Sequence, residues 1–148
     1  MNRDEMLKLD NQLCFVLYAC SREIIRLYRP VLAELGITYT QYVVLMALWE
    51  QEAVTLKELG GRLYLDSGTL TPLLKKMEAA GLITRMRCPE DERNIRILLT
   101  LQGRDLKHSA YRIPEKILSM TQITPEDVRH LKGQLNQLLQ KIEVNSEK

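Results

Sequence analysis

The stretch from Thr55 to Leu101 constrains the fold most, and its centre is the run from Leu65 to Glu78. Apolar residues in this run follow the i, i+3, i+4, i+7 spacing of a helix that buries one face. They are Leu70, Leu73, Leu74 and Met77. Asp66 or Ser67 can cap the helix, and Pro72 predicts that the regular helix starts late or is kinked there.

The N-terminal part of this predicted helix carries groups with which a DNA-reading helix contacts DNA. Thr69 and Thr71 can touch base edges or phosphates, as recognition helices do in the major groove. Lys75 and Lys76 follow further along. An ordinary amphipathic surface helix has a similar pattern, so this helix alone leaves both interpretations open.

The segment upstream favours DNA binding. Thr55 and Glu58 form a capping box, in which the hydroxyl and the carboxylate satisfy free backbone amides, and the box opens a short helix to about Leu63. Thr38 and Gln41 form a similar box at the start of an earlier helix. A short helix, a tight turn and a second helix together make a helix-turn-helix.

The segment downstream predicts a two-stranded wing. Gly81 ends the second helix, and residues 82–87 and 95–99 have the alternating pattern of two strands around a polar turn. Arg93 at the tip of this hairpin suits insertion into a minor groove, where Asp91 can orient it.

Three runs resemble the winged helix of the MarR family of bacterial repressors: Leu65–Glu78, Gly81-Leu82-Ile83-Thr84-Arg85 and Asp91-Glu92-Arg93-Asn94. Together with Gln12-Leu13-Cys14-Phe15, they make the chain similar to the OhrR branch, which senses organic hydroperoxides. The similarity covers nearly the whole chain. It implies a mainly α fold with a two-stranded β wing, in which a winged helix-turn-helix dimerises through N- and C-terminal helices. Such a homodimer binds double-stranded operator DNA.

One domain of the MarR type is expected to span residues 1–148. Within it, residues 38–100 form the DNA-binding region, and residues 1–37 and 101–148 form a helical dimerisation region. The residues predicted to contact DNA are Asp66, Ser67, Gly68, Thr69, Thr71, Lys75, Lys76, Arg85, Arg87, Asp91 and Arg93.

The terminal segments are predicted to be amphipathic helices. An apolar stripe runs from about Leu9 to Leu35, where Pro30 should kink or break the helix. After the wing, Thr100 can cap a helix from Leu101 to about Met120 that Pro114 interrupts. One winged helix cannot cover all this apolar surface, so the pattern favours a dimer whose terminal helices interlock.

Cys14 lies in an apolar context near the start of the first helix. A small buried thiol in such a stripe is usually a packing residue, and the residues alone favour that interpretation. In the OhrR branch, however, the cysteine at this place reacts with peroxide, and tyrosines around it hydrogen-bond the thiolate. The resemblance therefore implies that Cys14 is the redox sensor and that Tyr18, Tyr28 and Tyr39 support its thiolate, the form that attacks an O–O bond.

The remaining cysteines predict a one-cysteine mechanism. Some OhrR proteins carry a resolving cysteine in the C-terminal helices, but here no cysteine follows Cys88. Cys20 is six residues after Cys14, which on one helix is about 9 Å along the axis and roughly 120° around it, beyond disulfide reach. We therefore expect Cys14 to become a sulfenic acid and then a mixed disulfide with a low-molecular-weight thiol.

Composition narrows the class of protein. The net charge of +2 is nearly neutral, but between Lys75 and Arg104 seven basic residues face four acids, an excess that suits a phosphate backbone. The sequence indicates no export signal or membrane span, so a cytoplasmic, reducing compartment and free thiols are expected. His108 and His130 lack metal-ligand spacing, and no motif indicates a cofactor.

Three functions remain open at this point. The leading hypothesis is a dimeric repressor that releases its operator after an organic hydroperoxide oxidises Cys14. The second is a MarR-type repressor that responds to a bound phenolic or aromatic ligand. The third is a thiol-dependent peroxidase, but an enzyme would have no use for a winged helix, so we predict that the protein is not an enzyme.

Overall fold

The computed structural model describes residues 2–91 and 93–146; Met1, Glu92, Glu147 and Lys148 lie outside the described residues. The helices are α1 (Arg3–Met6), α2 (Leu13–Ala33), α3 (Tyr39–Glu50), α4 (Leu56–Leu63), α5 (Ser67–Ala79), α6 (Leu101–Ala110), α7 (Ile113–Thr121) and α8 (Pro125–Ser146), and a 3₁₀ helix covers Leu9–Asn11. The strands are β1 (Ala53–Thr55), β2 (Ile83–Arg87) and β3 (Ile95–Leu99). The chain forms two compact units, residues 1–111 and residues 112–148.

The first long helix differs from its predicted bounds. The 3₁₀ helix occupies the expected start, and α2 begins only at Leu13 and continues through Pro30. The expected break at Pro30 is therefore wrong. Proline removes one backbone hydrogen bond, but it lies in the last turn, where Val31 and Leu32 are buried, so packing holds the helix together.

The start of α5 corrects a second proline prediction. Pro72 predicts a late start, whereas α5 begins at Ser67, five residues earlier. Asp66 caps the helix, because its carboxylate accepts a hydrogen bond from the Thr69 backbone N–H at 2.7 Å. The cap satisfies a free donor of the first turn, which lets the helix begin there despite the proline.

Both predicted capping boxes are confirmed. At α3 the Thr38 hydroxyl accepts from the Gln41 N–H at 3.3 Å, and the Gln41 side chain accepts from the Thr38 N–H at 3.0 Å. Thr55 and Glu58 exchange equivalent bonds of 3.1 and 2.8 Å at α4. These bonds also lower the pKa of Glu58. Beneath the helices lies a core that includes Leu45, Leu48, Leu59, Leu70, Leu74 and Met77.

The wing belongs to an antiparallel sheet of three strands rather than two, in the order β1-β3-β2. β2 and β3 form the predicted hairpin, with Arg85 opposite Ile97, and β1 pairs with the other edge of β3. The sequence pattern missed β1 because three residues are too few to show an alternation. Since Thr55 ends β1 and caps α4, the sheet continues directly into the helix-turn-helix.

The second unit, residues 112–148, consists of α7 and α8. As predicted, Pro114 interrupts the helix that follows the wing; it lies in the first turn of α7, where a missing N–H costs nothing. α8 begins at Pro125 and leaves apolar side chains exposed at the helical spacing of one face. These are Val128, Leu131, Leu135, Leu139 and Ile142. None of the described helices combines the length and apolar character needed to cross a membrane.

Candidate DNA interface and thiol site

The N-terminal turn of α5 is the part of the helix-turn-helix that can enter a DNA groove. Ser67, Gly68 and Thr69 are exposed there, and Thr71 is half-buried. Free backbone N–H groups and the positive end of the helix dipole favour phosphate at such a turn. The carboxylate of Asp66 is committed to the cap, and a Cβ added at Gly68 would lie 3.2 Å from it, so glycine leaves the cap undisturbed.

A tight turn between α4 and α5 positions this N-terminal turn. Tyr64 ends α4 in the left-handed conformation, with φ at 56°, and the Leu65 N–H donates to the Gly60 carbonyl at 3.0 Å. A Cβ at Gly60 would lie 2.8 Å from the Leu65 carbonyl oxygen. Glycine is therefore required for the backbone to close this turn.

Arg85 holds the wing against α5. Its guanidinium contacts the Glu78 carboxylate at 2.8 Å, and its backbone N–H donates to the same carboxylate at 3.1 Å. These bonds lower the pKa of Glu78. The guanidinium of Arg85 is half-buried and paired, so it positions β2, whereas Lys75, Lys76 and Arg87 are exposed. Contact of these four side chains with DNA stays a prediction.

The wing tip brings Arg93 back toward the helix-turn-helix. Arg93, Ser67 and Lys57 line one depression of about 280 Å³ between α4, the start of α5 and β3. Asp91 accepts a hydrogen bond from the Arg93 backbone N–H at 3.0 Å, so its carboxylate stabilises the backbone of the turn and does not bind the guanidinium in this structure. Lys57 is a further exposed cation that the sequence motifs did not indicate, although a lysine in the first turn of a helix can contact phosphate.

Cys14 is exposed in the first turn of α2, and its sequence neighbours Leu13, Phe15 and Val16 also expose apolar side chains. The packing interpretation required a buried thiol, so it does not apply to the single chain. Cys20 is also exposed, and Cys88 is half-buried at the end of β2.

The predicted tyrosines divide into two groups. Tyr18 lies one turn after Cys14, and its oxygen accepts a hydrogen bond from the Arg22 guanidinium at 2.7 Å. Tyr28 contacts Tyr39 with ring centroids 4.9 Å apart. Fourteen residues of α2 separate Cys14 from Tyr28, about 21 Å along the helix axis, so one chain does not bring this tyrosine pair to its own thiol.

The environment of Tyr28 favours its protonated form. Burial raises the pKa of its phenol, and the neighbouring Tyr39 and Tyr42 raise it further. A protonated phenol keeps its O–H donor, so the pair that Tyr28 forms with Tyr39 can offer hydrogen bonds to an anion such as a thiolate. No group of His, Cys, Asp or Glu able to hold a metal occurs among the residues that the structure describes.

Comparison with known proteins finds relatives of this chain. A family model described as "MarR family" matches residues 37–95, which include the helix-turn-helix. The organic hydroperoxide resistance transcriptional regulator of Bacillus subtilis (strain 168) is 52% identical over 139 residues, covering 94% of this chain and 95% of the relative. The chain belongs to the MarR family. The resemblance inferred from the winged-helix and Cys14 motifs is thereby confirmed.

Solved structures of a MarR-type fold extend the comparison. The structure of reduced AbfR bound to DNA superposes with a TM-score of 0.80 at 36% identity, covering 97% of each chain. The structure of overoxidized AbfR bound to DNA gives 0.77 at 37% identity, covering 95% of this chain and 99% of that chain. The winged helix-turn-helix of this chain thus has the fold of a family whose structures include DNA complexes.

Proposed function

We propose that this protein is a homodimeric repressor that binds operator DNA and releases it when an organic hydroperoxide oxidises Cys14. The observation that carries the proposal is the exposed thiol of Cys14 in an apolar turn of α2, in a chain 52% identical to an organic hydroperoxide resistance regulator. Regulation of an operator also implies a cytoplasmic protein.

The DNA-binding half of the proposal rests on exposed groups at the start of α5 and along the wing. Ser67, Gly68 and Thr69 enter the major groove, Lys75 and Lys76 contact the phosphate backbone, and Arg87 and Arg93 approach DNA from the wing. A two-fold dimer presents two such surfaces about one helical turn apart, so the operator is a palindromic duplex with AT-containing half-sites.

The dimer rests on exposed apolar surface at both ends of the chain. α8 exposes a line of apolar side chains, and near the N-terminus Leu7, Leu9 and Leu13 are exposed. A dimer also overcomes the distance between Cys14 and Tyr28 along α2, because Tyr28 and Tyr39 of one copy can donate hydrogen bonds to Cys14 of the other. The complete thiol site, defined as Cys14, Tyr18, Tyr28 and Tyr39, then contains residues of both copies.

The chemistry follows from the thiolate. Its sulfur attacks an oxygen of the hydroperoxide, an S–O bond forms as the O–O bond breaks, and the released alkoxide takes a proton to become an alcohol. Cys14 is left as a sulfenic acid, which condenses with a low-molecular-weight thiol to a mixed disulfide and water. The added bulk and the lost thiolate hydrogen bonds move the wings out of register with DNA.

Operator binding under peroxide titration tests the proposal. Wild-type protein should release DNA as cumene hydroperoxide is added, whereas Cys14→Ser should bind DNA normally and not respond. The matched control is Cys20→Ser with Cys88→Ser, which should respond like wild type. If the Cys14→Ser protein still released DNA at the same dose, Cys14 would not be the sensor. A repressor that responds to a bound aromatic ligand would then be favoured.

The proposed role of the thiol is regulation and not turnover. Members of the family are transcriptional regulators, and the first oxidation step does not require a catalytic cycle. A steady-state assay of hydroperoxide consumption with excess reductant measures this directly. Without reductant we expect consumption to stop near one equivalent per Cys14, and with reductant we expect only slow consumption, limited by the regeneration of the thiol; fast sustained turnover would instead favour a thiol peroxidase.

A further inference from the structure

Arg22 and Tyr18 form a paired contact on the same face of α2 as Cys14. The Arg22 guanidinium donates to the Tyr18 oxygen at 2.7 Å, and its central carbon lies 5.5 Å from the centroid of the Tyr18 ring. The contact raises the pKa of Arg22, mainly through this hydrogen bond. The established features of a winged helix give this pair no role.

The direction of the hydrogen bond from Arg22 to Tyr18 determines which further hydrogen bond the phenol can make. Arginine has only N–H donors, whereas a phenol has one O–H donor and two acceptor lone pairs. The bond from Arg22 occupies an acceptor position of the Tyr18 oxygen and leaves the phenol proton available to another acceptor. Hydrogen bonds in series reinforce one another, so the guanidinium makes the phenol a stronger donor.

Helix geometry directs this donor toward Cys14. Residues spaced by four lie on one face of a helix, with Cβ atoms about 6 Å apart, so Cys14, Tyr18 and Arg22 occupy three successive turns. Long side chains on a helix lean toward its N-terminus. Arg22 accordingly reaches back to Tyr18, and a Tyr18 phenol with the same lean would lie over the turn that bears Cys14.

We propose that Arg22 is a positioning residue of the thiol site, which acts through Tyr18 by making its phenol a hydrogen-bond donor to the Cys14 thiolate. This inference rests on the proposed role of Cys14 as the sensor. In this proposal the contact between Arg22 and Tyr18 affects the reactivity of the Cys14 thiol and not the stability of α2.

The elements packed against α2 carry other charged and titratable groups. The 3₁₀ helix packs against α2 and carries Asp10, whose negative charge would disfavour a nearby thiolate. α3 packs against α2 as well and contributes Tyr39 and Tyr42, beside Tyr28. Removing Arg22 leaves the opposing carboxylate in place, so the thiolate population should fall and not rise.

The reactivity of Cys14 toward iodoacetamide, measured against pH in the full chain, tests the inference. Cys20→Ser and Cys88→Ser in the background restrict labelling to Cys14. Arg22→Gln should slow labelling at pH 7 by about three- to ten-fold and move the half-maximal rate to higher pH. The limiting rate at high pH should not change, and Arg22→Lys, which keeps a cationic donor, should restore part of the effect.

A double variant separates action through Tyr18 from a direct effect of charge. In the Tyr18→Phe background the phenol is absent, so Arg22→Gln should cause no further slowing. Arg26→Gln is the matched control, because Arg26 lies on the same helix but bonds Glu23 at 3.0 Å, and its loss should leave labelling unchanged. Operator affinity of the reduced proteins and their circular dichroism should match the parent.

An unchanged pH profile for Arg22→Gln, or equal slowing with and without Tyr18, would overturn the inference while leaving Cys14 as the sensor. Failure of the proposed function has a different signature, namely release of DNA by the Cys14→Ser protein under peroxide. The two results are obtained from different variants and different readouts, so each hypothesis can fail alone.

Discussion

The proposed DNA-binding region, residues 38–100, and the proposed thiol site on α2 differ in how many of their parts a single chain supplies. The DNA-binding region is closed by its own contacts, which include the two capping boxes, the Asp66 cap and the Glu78–Arg85 ion pair. The thiol site has an exposed cysteine at one end of α2 and a tyrosine pair about 21 Å away at the other. The proposed DNA-binding surface is thus formed within one chain, whereas the proposed thiol site requires two copies.

Mixed dimers provide the strongest test of that contrast. A Tyr28→Phe, Tyr39→Phe variant should oxidise at least about ten-fold more slowly, because each substitution removes one hydrogen bond to the thiolate. Mixing it with Cys14→Ser chains creates heterodimers in which an intact Cys14 faces intact tyrosines. If the site is shared between copies, that fraction should oxidise at the wild-type rate when sulfenic acid is trapped with dimedone.

The control for this experiment mixes wild-type and Cys14→Ser chains, which sets the wild-type rate for a dimer with one thiol. A mixture of the two variants that stays as slow as the tyrosine variant alone would contradict a shared site. It would require the tyrosines to act within their own chain, against the distance along α2.

Arg93→Ala should affect the DNA-binding region alone. Loss of this cation should weaken operator binding by at least about 1 kcal/mol and reduce the slope of log affinity against log salt by about one, because one phosphate or minor-groove contact is lost. Fluorescence anisotropy at several salt concentrations measures both quantities. Arg104→Ala is the control, since Arg104 pairs with Glu52 outside the wing; an equal loss there would discount the wing contact.

The Glu78–Arg85 ion pair should give the smallest effect, and it depends on pH. The folded state lowers the pKa of Glu78, so its contribution to stability is present above the ordinary glutamate pKa and is lost as pH falls through the lower, folded value. Glu78→Gln should therefore lower the melting temperature at pH 7, and the difference should shrink as pH falls below about 4.5. A difference that is constant with pH would show that the carboxylate charge does not matter.

Local signals in the sequence were sufficient to predict the helix-turn-helix. Thr38 and Thr55 are followed by the side chains that complete their capping boxes, so each helix start is encoded within four residues. Gly81 and the alternating residues after it likewise predict the wing hairpin. Motifs around Cys14 and α5 sufficed for the family, which the Bacillus subtilis relative confirms.

Features that depend on distant partners could not be predicted in the same way. The segment of β1 is a strand because it pairs with β3. Pro30 is tolerated because the helical turn that it weakens contains residues that are buried in the core. The sequence does not show that Arg85 pairs with Glu78, because the pair forms only when the turn at Gly81 brings β2 back against α5. The Tyr18–Arg22 pair, by contrast, has an i, i+4 spacing that a search for side-chain pairs on α2 would have found.

The junction at Thr55, where β1 passes directly into α4, is a place where the chain cannot change length without disturbing two elements. An inserted residue there would shift the register of β1 and the start of α4 together. The turn closed by the Cys88 N–H and the Asn94 carbonyl at 2.8 Å leads only to the hairpin tip. Insertions in that turn would therefore leave the pairing of β1 with β3 and the start of α4 unchanged.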